Sequence, residues 1–127
     1  MPLVRIDLAA GRGSEFTRRL GDLVYRAMAD VIDIPPDDKF QIITEHPRHA
    51  LNFAPSFLGI EHSDALVMIQ ITLSFGRSVE KKQALYRRIA GDLARELAIR
   101  PQDVFINLVE TARENWSFGN GIAQYVA

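Results

Sequence analysis

Displaced against itself by 65 residues, the chain matches its own sequence without a gap: VRIDLAAGRGSEFTRRL falls beside IQITLSFGRSVEKKQAL, and IPPDDKFQIITE beside IRPQDVFINLVE. Ile6, Leu8, Gly11, Arg12, Glu15, Leu20, Ala29, Ile34, Pro36, Asp38, Phe40 and Glu45 recur as Ile71, Leu73, Gly76, Arg77, Glu80, Leu85, Ala94, Ile99, Pro101, Asp103, Phe105 and Glu110. Such a duplication restricts the fold more than any single motif, because one local design must build both halves and the halves must pack together. The repeats span about residues 2–45 and 67–110 of a single domain covering 1–127, with a tail at 115–127.

Each repeat reads as strand, helix, strand. Leu3 to Leu8 and Ala65 to Leu73 are apolar and β-branched, with clear alternation in the first. Phe16, Leu20, Leu23, Val24, Ala27, Met28, Val31 and Ile32 recur at helical spacing, as do Leu85, Ile89, Leu93 and Leu97. Ser14 with Thr17, and Ser78 ahead of Glu80, supply helix-start chemistry, while Pro35, Pro36 and Pro101 close each helix before the next strand. A strand, crossover helix and strand imply parallel pairing with a right-handed connection. The expected architecture is therefore α/β (α+β): two βαβ units in a four-stranded sheet with both helices on one face. The other face, apolar and without a third long helix to cover it, predicts an oligomer.

Composition excludes several classes of function. The net charge of −1 and dispersed basic residues give no surface that would follow a phosphate backbone, so nucleic acid is not an expected partner. Without cysteine there is no disulfide, thiol nucleophile or thiolate metal site. No apolar run reaches the length of a membrane span, and the amino terminus lacks signal-peptide features, which points to a cytoplasmic protein with no membrane contact. His46, His49 and His62 make no metal set, because a proline interrupts the first pair. Gly119 and Gly121 precede no long helix, and no serine sits in a nucleophile motif.

Proline at position 2 leaves Met1 removable, and the exposed secondary amine is a base. An α-amino group titrates near pH 8, and apolar burial beside a cation disfavours its charged form. A neutral Pro2 nitrogen would shuttle a proton between an enol hydroxyl and the α-carbon; a cationic one would polarise a carbonyl, as decarboxylation of a β-keto acid requires.

Pro2 opening a strand, the duplicated βαβ units, the GRS turn at Gly76 to Ser78 and the ENWSFGNGIAQY ending together resemble the tautomerase superfamily, most closely its malonate semialdehyde decarboxylase branch. The resemblance covers nearly the whole chain. It implies a homotrimer, active sites near subunit contacts, Pro2 as catalytic group, a small carboxylate substrate, and no metal or organic cofactor. In related enzymes the arginine matching Arg77 binds the substrate carboxylate, which suits a planar bidentate guanidinium; Arg12 at the equivalent turn leaves open a role in the turn itself. Asp38 matches the aspartate that works with the proline, yet Asp103 holds the same place in the second repeat, as a turn ligand would. Trp116 and Phe118 match an aromatic wall against substrate and would equally serve as interface anchors.

The chain departs from the branch at one point. Relatives carry a second arginine ahead of the GRS arginine, where this sequence reads Leu73, Ser74 and Phe75. One fewer cation favours a tautomerase for small 2-oxo or 2-hydroxy-enoic acids over a malonate semialdehyde decarboxylase-like lyase. A non-enzymatic trimeric binding module is the third reading.

Overall fold

The computed structural model describes residues 2–126; the processing of Met1 and the last residue of the tail, Ala127, lie outside the described residues. Strand β1 (Leu3–Ala9), helix α1 (Ser14–Ile32) and β2 (Gln41–His46) form the first unit. A short hairpin, β3 (Ser56–Phe57) and β4 (Ile60–Glu61), lies in the connection. Strand β5 (Val67–Ser74), α2 (Val79–Leu97) and β6 (Val104–Thr111) form the second unit.

The sheet order is β2-β1-β5-β6, parallel within each unit, as a crossover helix dictates, and antiparallel where the units meet. Alternation selects the faces. Val4, Ile6 and Leu8 of β1 and Val67, Ile69, Ile71 and Leu73 of β5 point into one core with Leu20, Val24 and Met28 of α1 and Leu85, Ile89 and Leu93 of α2. Both helices cover that single face. Their ion pairs run in descending order, Arg19 with Glu96, Asp30 with Arg88 and Asp33 with Lys81, so the helices lie antiparallel. Asp92, buried on α2, is satisfied by Arg88 and Arg95.

Two expectations are corrected. Ser14 does not cap α1: it is the first helical residue, Gly13 holds the cap position without a side-chain hydrogen bond, and the Ser14 carbonyl instead accepts from the Thr17 hydroxyl at 3.0 Å. The Gly13 backbone, at φ 88°, is one that serine avoids. Ser78 does cap α2, accepting from the Lys81 amide at 3.2 Å. Ser78→Ala is therefore expected to cost about 1 kcal/mol in urea unfolding, and Ser14→Ala less than about half of that.

The open sheet face is also not uniformly apolar. Its margins are: Ile42 on β2 is 44% exposed and Phe105 on β6 48%. Its centre carries Arg5 opposite Gln70, which donates to Asn107 at 3.0 Å, and Asp7 2.6 Å from His46. A face built from apolar borders around a polar centre fits a partner by register as well as by burial.

Candidate active site

The antiparallel junction decides where chemistry gathers. Leu3 is in register with Thr72, and Ser74 with Thr111, so the start of the first unit adjoins the end of the second. A pocket of about 500 Å³ opens there. Pro2, buried, forms its floor with Leu3 and Thr72; Phe40 closes one side, and Thr111, Asn115, Trp116, Ser117 and Phe118 the other.

The far wall is a stack. Trp116 lies against Phe118 with ring centres 5.6 Å apart, and Tyr125 meets Phe118 edge-on at 5.0 Å. Trp116 Nε1–H donates to the Thr111 hydroxyl at 2.8 Å, fixing the indole to the end of β6. The Phe118 amide donates to Gln124 Oε1 at 2.9 Å, and Gln124 Nε2 donates to the Gly119 carbonyl at 2.9 Å, which folds the tail back onto the wall.

Of the residues singled out in the sequence, Pro2, Trp116 and Phe118 share this pocket. Asp38 and Arg77 are not among the residues that bound it. Burial raises the Asp38 carboxyl above its ordinary range, and the Arg77 guanidinium is among the charges opposing that rise. The Tyr125 phenol is likewise raised, by burial and then by Asp38, against Arg113 and Arg77. Phe40, Thr72, Thr111, Asn115, Arg113 and Tyr125 were not singled out. Thr72 and Thr111 become legible only once the antiparallel junction is known.

Comparing the repeats separates what belongs to the fold from what belongs to the site. Gly11 (φ 110°) and Gly76 (φ 132°) both occupy backbone that favours glycine, so the recurring glycine serves the turn. The arginines beside them diverge. Arg12 lies over the Phe16 ring at 4.3 Å, where the second repeat has Lys81, while Arg77 donates to the Ser74 carbonyl at 3.0 Å, towards the pocket end of the sheet. Glu45 accepts from the Gly11 and Arg12 amides, whereas Glu110 pairs with Lys82.

The aspartates diverge further. Asp103, fully buried, accepts from the Ser63 amide at 2.7 Å and hydroxyl at 2.6 Å, with Arg100 at 3.4 Å. It is a structural ligand of the segment leading into β5. The 65-residue offset leaves Ser63 without a counterpart in the first repeat, so Asp38 cannot make the same lock. His46 meets Asp7 and His62 donates to the Ala54 carbonyl, and among the described residues no cluster of His, Asp and Glu could hold a metal ion. Nor is any helix among them long and apolar enough to cross a membrane.

Comparison with known proteins gives concordant matches. Two family models, both described as tautomerase enzyme, match residues 38–119 and 2–58. The chain is 40% identical over 126 residues to the probable tautomerase YusQ of Bacillus subtilis (strain 168), spanning 99% of each protein. Among solved structures, it is 39% identical to FG41 malonate semialdehyde decarboxylase inhibited by 3-bromopropiolate, with a TM-score of 0.91 over 98% of this chain and 94% of that one. A fused 4-OT described as a symmetric trimer matches at TM-score 0.80 and 21% identity over 98% of each chain, a likeness of fold.

Proposed function

Because the chain belongs to the tautomerase family, we propose that it is a cofactor-independent keto-enol tautomerase of small 2-oxo acids that uses Pro2, freed of Met1, as its acid-base group. The observation that carries this reading is Pro2 buried at the floor of a largely apolar pocket, between Thr72 and the Trp116–Phe118 wall. The neutral Pro2 nitrogen takes the proton of the enol hydroxyl; the carbonyl forms as the carbon–carbon double bond gives its electrons to the α-carbon; the prolinium N–H then delivers the proton there. Arg77 pairs with the substrate carboxylate and Asp38 stabilises the prolinium between the two transfers. Trp116 and Phe118 hold the apolar remainder of the substrate.

Conversion of phenylpyruvate enol to ketone, followed by absorbance with protein whose mass lacks Met1, tests this directly. Turnover well above the uncatalysed rate is expected, and its absence would remove the proposal. The second reading, a malonate semialdehyde decarboxylase-like lyase, is favoured by the buried Asp38 and by the 39% identity to such an enzyme. Release of carbon dioxide from malonate semialdehyde, lost in Pro2→Ala, is the result that would promote it.

The working form is proposed to be a cytoplasmic homotrimer. The apolar margins of the open face, Ile42 and Phe105, would be covered by neighbouring copies. Sedimentation is expected to show three chains per particle, and Phe105→Glu to lower that number.

A further inference from the structure

The β5–α2 turn holds one arginine, and its own geometry shows why it offers no second cation to the pocket. Leu73 points into the core at 1% exposure, leaving no room for a charge. Ser74 shares the open face with Thr72 and stands in register with Thr111, both of which line the pocket, and its buried hydroxyl has no hydrogen-bond partner among the described residues. Phe75 is exposed and apolar. An unpaired hydroxyl next to residues that line a largely apolar pocket invites a hydrogen-bond acceptor there.

A short 3₁₀ turn, Arg113–Asn115, follows β6. Arg113 lies between Thr111 and Asn115–Trp116, three residues of the pocket wall. Its side chain makes no ion pair or hydrogen bond among the described residues, in contrast to Arg12, which is parked on Phe16, and Arg88, Arg95 and Arg100, which hold aspartates. Its charge and that of Arg77 reach the same phenol, Tyr125, at the edge of the aromatic wall.

We infer that Arg113 acts with Arg77 as the second carboxylate-binding cation of this site, so that the protein binds small dianionic acids in addition to aryl or alkyl 2-oxo acids. The assignment rests on the proposed reading of the pocket as a site for carboxylates. Arg77 takes the carboxylate next to the reacting carbon; Arg113 takes a second carboxylate at the far end; Ser74 Oγ–H donates to the same anion. An aryl substrate places its ring on Trp116 and Phe118 and does not call on Arg113.

Calorimetric binding of malonate, a dianion, and 3-phenylpropionate, an aryl monoanion, separates the roles without requiring turnover. Arg113→Ala is expected to weaken malonate at least about tenfold while shifting 3-phenylpropionate by less than about twofold, and Arg113→Lys to recover part of the malonate affinity. Arg77→Ala is expected to weaken both ligands. Equal losses for the two ligands in Arg113→Ala, unchanged malonate affinity, or no malonate binding by the unsubstituted protein would each overturn the assignment. The malonate contrast without enol turnover would uphold the clamp and remove the tautomerase reading; Pro2-dependent turnover without the contrast would do the reverse.

Discussion

Pro2→Ala, in protein shown by mass to lack Met1, is expected to lower enol-to-ketone turnover of phenylpyruvate about a hundredfold or more, the usual scale for a positioned acid-base group. The loss should fall on kcat. Alanine at position 2 still presents an amino group, but a primary one on a backbone no longer fixed by the pyrrolidine ring, so direction and basicity change while the pocket walls remain. Phe40, Thr72 and Trp116 still bound the cavity in the variant, which keeps KM within a few-fold. Equal rates in the two proteins would show that proline at this position carries no chemistry. Protein retaining Met1 supplies an internal control: its Pro2 nitrogen is an amide without a basic lone pair, and it should match the variant.

The fold was legible because the duplication forces it. Once one repeat reads as strand, helix and strand, the second follows, and the apolar stripes of Leu20, Val24 and Met28 and of Leu85, Ile89 and Leu93 turn both helices to one sheet face. What periodicity does not carry is the relation between the units. Whether β1 pairs with β5 parallel or antiparallel depends on long-range packing, and that one pairing decides which strand ends meet. For this reason Pro2, at the chain start, was readable as a candidate while its neighbours Thr72 and Thr111 were not. Tyr125 stayed hidden for a related reason: its place on Phe118 depends on the tail folding back through Gln124, a contact without a period. The Ser14 assignment failed locally, because a Ser-x-x-Thr pattern looks the same whether serine is the cap or the first helical residue, and the positive φ of Gly13 is invisible in the letters.

Asp38 and Asp103 occupy the same place in the two repeats, and their substitution is expected to have opposite consequences. Asp103→Ala removes a buried carboxylate that accepts from the Ser63 amide and hydroxyl, leaving both donors without their partner and costing about 3 kcal/mol in denaturant unfolding. The pocket lies at the other end of β5, so folded Asp103→Ala should retain most of its turnover. On the proposed reading, Asp38→Asn leaves stability within about 1 kcal/mol and lowers turnover about tenfold or more, because the prolinium then loses its counter-charge. The pH profile makes the distinction specific. If ionised Asp38 is the working form, the rate rises as its proton leaves; because burial raises its titration, that acid limb lies above the ordinary carboxylate range. The same sign makes ionisation of Asp38 unfavourable to the fold, so its contribution to stability falls as pH rises through that range, and Asp38→Asn should flatten both dependences. A fold that duplicated one turn has kept the aspartate twice, once to hold Ser63 and once, on the proposed reading, to serve the proline. Loss of stability in Asp38→Asn equal to that in Asp103→Ala, with the acid limb unchanged, would reduce both to turn ligands.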